Sequence, residues 1–218
     1  MISNPLIPNT GYNQAYMRLI GNNQNGRLVY KKSNFNGNEH PSLTKIVKSL
    51  FFKKTFELNM VGLSGAGKKS LQNFWEYGND FQSRIPTIGR SKLHLKVDKI
   101  QLKFGCYDLT NKILPLMKYY YEMTHGLIYV IDSCDRSQMK IAKKFFYQII
   151  IHEFMLEKPI LILATKQDLP NAISIFEIAK IFNLNELHRE WLLLPISRYS
   201  KKHIDGLKWI ISKMERFW

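Results

Sequence analysis

Two short stretches carry groups that could act on one ligand. The first is GLSGAGKKS, Gly62 to Ser70, in which Gly62, Gly67 and Lys68 have the spacing of a phosphate-binding loop. In such a loop Gly62, Leu63, Ser64, Gly65, Ala66 and Gly67 would turn successive N–H groups toward phosphate oxygens. The helix that follows would add its own N-terminal N–H groups, and Lys68 would reach the outer phosphates. The next residue is Lys69, where a loop of this kind needs a serine or threonine hydroxyl for Mg²⁺.

The second stretch is TKQD, Thr165 to Asp168, at the end of the apolar run PILILA. Loops at the carboxyl ends of parallel strands are where such sheets bind ligands. The Asp168 carboxylate can accept from both the N1–H and the exocyclic amine of guanine, with Lys166 lying along the base. Adenine offers neither donor at that edge, and a buried polar group left unpaired discriminates by about 10⁴-fold.

The elements needed to hold these stretches are legible around them. FELNMVGL leads into the glycine loop as a strand, and SLQNFWEYG leaves it as a helix. KLHLKVDKIQLKF alternates with period two and reads as a two-strand ribbon turning near Asp98 and Lys99. GLIYVID and KPILILAT are continuous apolar runs suited to strands buried on both faces. QMKIAKKFFYQIIIHEFM follows the first of them as a helix. In the closing IDGLKWIISKMERFW, Leu207, Ile210, Ile211 and Met214 fall on one helical face. The alternation predicts an α/β domain with a mostly parallel sheet and helices on both sides, over residues 55–218.

Residues 1–41 are rich in Asn and Gly, with no sustained helix or strand period, and read as a mobile extension. Over 42–54 the pattern changes. Leu43, Ile46, Val47, Leu50 and Phe51 recur at helical spacing while Lys45 and Lys48 face away, which predicts a basic amphipathic helix able to enter a membrane surface.

The 218-residue chain carries a formal net charge of +15, so anionic partners are expected. Aromatics are not interleaved with the basic residues as in an RNA-binding motif, and nucleic acid is set aside in favour of acidic lipid headgroups beside the 42–54 helix. Two cysteines, Cys106 and Cys134, make no disulfide framework, and MISNPLIPNT is not a secretory leader. The apolar runs fall well short of the roughly 20 residues a spanning helix needs. The expected setting is cytoplasmic, with peripheral attachment to membranes.

With these pieces in view, the chain resembles the Arf and Arf-like small GTPases over residues 42–218, through MVGLSGAGK, IPTIG, GLIYVIDSCDR, TKQDLPNA and GLKWI. The lysosome-associated Arf-like branch is similar in FELNMVGL and PISRYSKKHIDGLKWI. The resemblance implies a P-loop GTPase fold with an antiparallel interswitch ribbon, and a GTP/GDP switch that works with Mg²⁺. It also implies exchange factors, effectors meeting the 91–118 region, and a role in vesicle traffic on Golgi or endolysosomal membranes. Residue by residue, Thr87 matches the switch threonine that meets Mg²⁺ and the γ-phosphate, and Ser70 matches an α-phosphate contact. Ser197 and Arg198 fall in the last guanine-side loop. The chain begins Met1-Ile2 where the family has Met-Gly, so myristoylation is not expected.

The departures cluster on metal and hydrolysis. Lys69 stands where the family has threonine, and an ammonium only donates. Asp-x-Gly-Gly-Gln is replaced by GCYDLTNKILPLM, which puts either Cys106 or Asp108 at the metal-side position and Leu109, Thr110 or Asn111 where the γ-phosphate glycine and water-orienting glutamine belong. The expectation is therefore guanine-nucleotide binding with doubtful Mg²⁺ and weak hydrolysis. The alternative is a non-hydrolysing scaffold that recruits partners to membranes.

Overall fold

The computed structural model describes residues 17–22, 28–32, 54–77, 91–97, 100–197, 200 and 202–217. The expectations resting on the 42–54 helix with Leu43, Ile46, Val47, Leu50 and Phe51, on Thr87 and on Arg198 lie outside those residues. The chain divides into two units, 1–39 and 40–218.

In the first unit Met17–Asn22 (β1) pairs antiparallel with Leu28–Lys32 (β2). The sequence suggested no strand period there; the pairing carries a register shift between Leu19 and Gly21.

In the second unit the strands are Lys54–Gly62 (β3), Ser91–Val97 (β4), Ile100–Asp108 (β5), Gly126–Asp132 (β6), Ile160–Thr165 (β7) and Trp191–Pro195 (β8). They form one sheet in the order β4-β5-β3-β6-β7-β8. Only β4 runs antiparallel, against β5, which is the expected ribbon. β6 and β7 are buried along nearly their whole length, as continuous apolar runs require when helices cover both faces. At the sheet's edge β4 keeps the half-buried alternation, with Leu93 buried and His94 and Lys96 exposed.

Five helices flank the sheet among the described residues: Lys68–Tyr77 (α1), Leu114–Tyr121 (α2), Met139–Ile150 (α3), Ile175–Ile181 (α4) and Lys202–Met214 (α5). α3 buries Met139, Ala142, Phe145, Phe146, Ile149 and Ile150, a stripe at three- and four-residue spacing. Its end is closed by Arg189, whose guanidinium donates to the carbonyl of Ile150 (3.0 Å) and to that of Met155. α5 buries the predicted face of Leu207, Ile210, Ile211 and Met214. Among the described residues, no helix is long and apolar enough to cross a membrane.

Because β3, β6 and β7 are parallel, the loops after all three leave the same end of the sheet. β5 is also parallel to β3, in register from Lys54 with Ile100 to Gly62 with Asp108. Gly62, Asp108, Asp132 and Thr165 therefore gather at one end of the sheet, and the site is assembled there.

Candidate nucleotide-binding site

The loop between β3 and α1 turns where Ala66 N–H donates to the Leu63 carbonyl (3.2 Å). Gly65 and Gly67 have φ of +77° and +91°, a region other residues rarely adopt. Those two positive angles set the chain's direction into α1, so the glycine spacing follows from the loop's shape. Ser64 and Gly65 are exposed, Leu63 and Gly67 half-buried and Ala66 buried. Lys69 and Ser70 are exposed on the first turn of the helix.

Lys68 is the buried charge of the loop, with its side chain 8% exposed. Its ammonium donates to the carbonyls of Gly62 (2.9 Å) and Leu63 (2.6 Å) and lies 2.7 Å from Asp108 Oδ1. Three acceptors for three N–H donors satisfy it completely. Burial pulls its pKa below the ordinary lysine value, and the Asp108 hydrogen bond and charge oppose that shift.

The geometry separates the two residues that the sequence left open. Asp108 lies opposite Gly62 at the end of β5 and its carboxylate reaches Lys68, whereas Cys106 is buried opposite Met60. The chain then turns at once. Leu109 is buried with its N–H on the Gly62 carbonyl (2.9 Å). The Thr110 carbonyl accepts from Ile113 and Leu114 to start α2, and its hydroxyl accepts from Ile113 N–H (3.2 Å).

On the other side, β7 ends at Thr165 and Lys166 follows in the left-handed region, φ +60°. The Lys166 ammonium pairs with Asp132 at the end of β6, whose other carboxylate oxygen accepts from Cys134 N–H (2.9 Å). Gln167 braces the loop from within. Its amide nitrogen donates to Ser133 Oγ (2.6 Å) and to the Ile173 carbonyl (2.8 Å), and its backbone N–H donates to Ile196 O (3.1 Å). With the loop held on both sides, Asp168 stands exposed at its tip.

A cleft of about 320 Å³ joins the two halves, lined by Gly67 and Ser70 from the phosphate-type loop and by Thr165, Lys166, Asp168 and Ser197 from the other. That volume is in the range of small-ligand pockets. Of the residues predicted from the two motifs, Gly67, Ser70, Thr165, Lys166, Asp168 and Ser197 line this cleft, while Gly62, Leu63, Ser64, Gly65, Ala66, Lys68, Lys69 and Asp108 do not.

Three participants escaped the sequence reading. Asp132 holds Lys166 in place; the strand-end aspartate of GLIYVID was the available signal. Phe74 and His203 also line the cleft, packed edge to face at 4.3 Å between centroids. His203 is 2% exposed, with its Nε2 unpartnered, and burial lowers its pKa against the opposing effects of the Ser200 backbone and the Asp205 charge. Nothing in the local sequence marks that histidine.

Residues 43–214 match the model of the ADP-ribosylation factor family. The fold is similar to that of the Arl6 BBS3 small GTPase from Trypanosoma brucei, solved with a bound nucleotide analogue, GppNp. The TM-score is 0.67 at 20% sequence identity, and the match covers 75% of this chain and 99% of that one. The mostly parallel six-stranded sheet with its single antiparallel pair is the P-loop GTPase fold expected from the sequence.

Proposed function

The chain belongs to the ADP-ribosylation factor family, and on that premise we propose that it is an Arf-like guanine-nucleotide switch of membrane traffic whose intrinsic hydrolysis is weak. Membership implies binding of guanine nucleotide and dealings with regulators or effectors. The observation that carries the reading to this chain is the cleft lined by Gly67 and Ser70 on one side and by Thr165, Lys166 and Asp168 on the other. A guanine base held at Asp168 would leave its phosphates running toward the helix N-terminus at Ser70, where N–H groups favour anions.

Weak hydrolysis follows from what stands after Asp108. Attack on a γ-phosphate needs a side chain that orients water, and Leu109, Thr110 and Asn111 supply no glutamine. Leu109 is buried, and Thr110 is committed to the turn into α2.

Membrane attachment is proposed through Leu43, Ile46, Val47, Leu50 and Phe51, with lysines on the opposite face to meet acidic headgroups. We place the protein on the cytoplasmic side of endomembranes, Golgi or endolysosomal, with effectors meeting the 91–118 region. Replacing Leu50 and Phe51 by Glu should abolish flotation with acidic liposomes and leave the fold intact; unchanged flotation removes the membrane reading.

The first test is to denature purified protein, identify the released nucleotide by ion-exchange chromatography, and follow one turnover of added GTP. Near-stoichiometric guanine nucleotide with slow or undetectable turnover is expected. A protein that neither carries nor takes up guanine nucleotide overturns the switch. One observation favours the non-hydrolysing scaffold as a second reading. Lys68 already has three protein acceptors, so the loop has no buried charge left wanting when phosphate is absent.

A further inference from the structure

The family's use of Mg²⁺ can be set against the donors this chain offers. Mg²⁺ takes near-octahedral oxygen ligands, commonly one or two carboxylates or hydroxyls beside the phosphates and water. At the first turn of α1 the residue in the hydroxyl position is Lys69, whose ammonium donates and cannot ligate. The nearby carboxylate, Asp108, is 2.7 Å from the Lys68 ammonium. The positive charge of that side chain also disfavours a dication beside it. Among the described residues, the donors at this position do not fit the ion; Thr87, the other expected ligand, lies outside them.

They do fit its electrostatic task. Bound GDP or GTP brings several negative charges to a loop whose N–H groups and helix terminus offer only partial positive charge. Lys68 and Lys69 are consecutive residues at that terminus, one buried and one exposed. Nucleotide arriving at the loop would bring phosphate oxygens as acceptors for the Lys69 ammonium, whereas Lys68 could take one only by giving up a protein acceptor.

We propose that Lys69 stands in for the divalent cation, so that this protein holds guanine nucleotide without Mg²⁺. The proposal rests on the nucleotide-binding reading above. It identifies a specificity residue of the same site and a cation requirement unlike that of a hydroxyl-bearing loop. A lysine carries its charge on a flexible stem, so the ammonium can follow the phosphates without a rigid ligand sphere.

The test follows release of fluorescent N-methylanthraniloyl GDP from the full chain, with Mg²⁺ in excess or with EDTA in excess. For the protein as it stands, EDTA should change the release rate by less than about threefold. Lys69→Thr restores the hydroxyl and should become EDTA-sensitive, releasing at least about tenfold faster without Mg²⁺, a difference of roughly 1.4 kcal/mol. Lys69→Met should bind at least about tenfold more weakly in both buffers, the same free-energy step. Acceleration of threefold or more in the unaltered protein overturns the proposal, and so does unchanged affinity in Lys69→Met, which would leave the ammonium in solvent. Absence of binding in both buffers, in the unaltered protein and in Lys69→Thr alike, overturns the nucleotide reading and this proposal with it. Binding that fails only when EDTA is added overturns the proposal alone.

Discussion

The Thr165 hydroxyl lies 2.8 Å from the carbonyl oxygen of Ala66 and 3.0 Å from that of Ile131. One buried side chain at the end of β7 thus joins the guanine-side loop to the phosphate-type loop, which is ninety-nine residues earlier in sequence. Thr165→Val keeps the shape and removes the donor, leaving the Ala66 carbonyl without it. The expected cost is about 1–3 kcal/mol of unfolding free energy, read from urea melts, with several-fold weaker nucleotide binding in the same preparation. Full affinity in a destabilised variant would show that the two loops do not depend on this bond for their spacing.

Gly62 and Gly65 offer a contrast between closeness and backbone angle. A Cβ on Gly62 would fall 2.3 Å from the Val130 carbonyl oxygen on β6, whereas one on Gly65 meets nothing within 4 Å and pays only for its positive φ. Gly62→Ala should therefore lose about 3 kcal/mol or more and Gly65→Ala about 1–2 kcal/mol. Chemical denaturation of the nucleotide-free protein gives both values, and an equal pair would mean that β3 and β6 can separate without cost.

Asp168→Asn alters which base the site accepts. An amide keeps one acceptor for N1–H and gains donors, which suit a base carrying an oxygen where guanine has its amine. Affinity for GDP should fall by about two orders of magnitude or more, while that for xanthosine diphosphate rises. Competition against a fluorescent nucleotide reads both changes. Equal loss of the two ligands would place the base away from Asp168.

Acid should destabilise the fold through two histidines. Burial lowers the pKa of both His203 and His125 from the ordinary 6.5; for His125 the Lys158 charge adds to the effect and the Glu57 backbone and charge oppose it. Above pH 6.5 folded and unfolded chains both hold neutral imidazoles, and this contribution to stability is complete. As pH falls below 6.5, the unfolded chain takes up protons that the buried rings resist, and stability declines until the folded-state values are passed. Melting temperature should drop by roughly 2–4 °C for each kcal/mol lost between pH 7.5-like and 5.5-like buffers. His203→Phe retains an aromatic ring against Phe74 and should flatten that slope; an unaltered slope would assign the effect to other groups.

The sequence made the layout legible wherever one element carried its own period. The ribbon KLHLKVDKIQLKF became β4 and β5, and Leu207, Ile210, Ile211 and Met214 became the buried face of α5. What escaped depends on register between strands distant in sequence. Whether Cys106 or Asp108 meets the glycine loop is decided by pairing β5 with β3 so that Asp108 stands opposite Gly62, and no local pattern encodes that alignment. The same holds for Asp132 with Lys166 and for His203 beneath the cleft, contacts made by elements that only the assembled sheet brings together.

The bracing of Gln167 by Ile196 bears on how the protein is made. The backbone bond from Gln167 N–H to Ile196 O, and the Ser197 wall of the cleft, come from chain synthesised well after both motifs. A nascent polypeptide that has exposed Gly62–Ser70 and Thr165–Asp168 but not β8 still lacks one side of its pocket. Nucleotide loading would then wait for β8 at the ribosome, and the stabilisation that a ligand confers on a folded protein would reach only chains from which β8 and Ser197 have emerged.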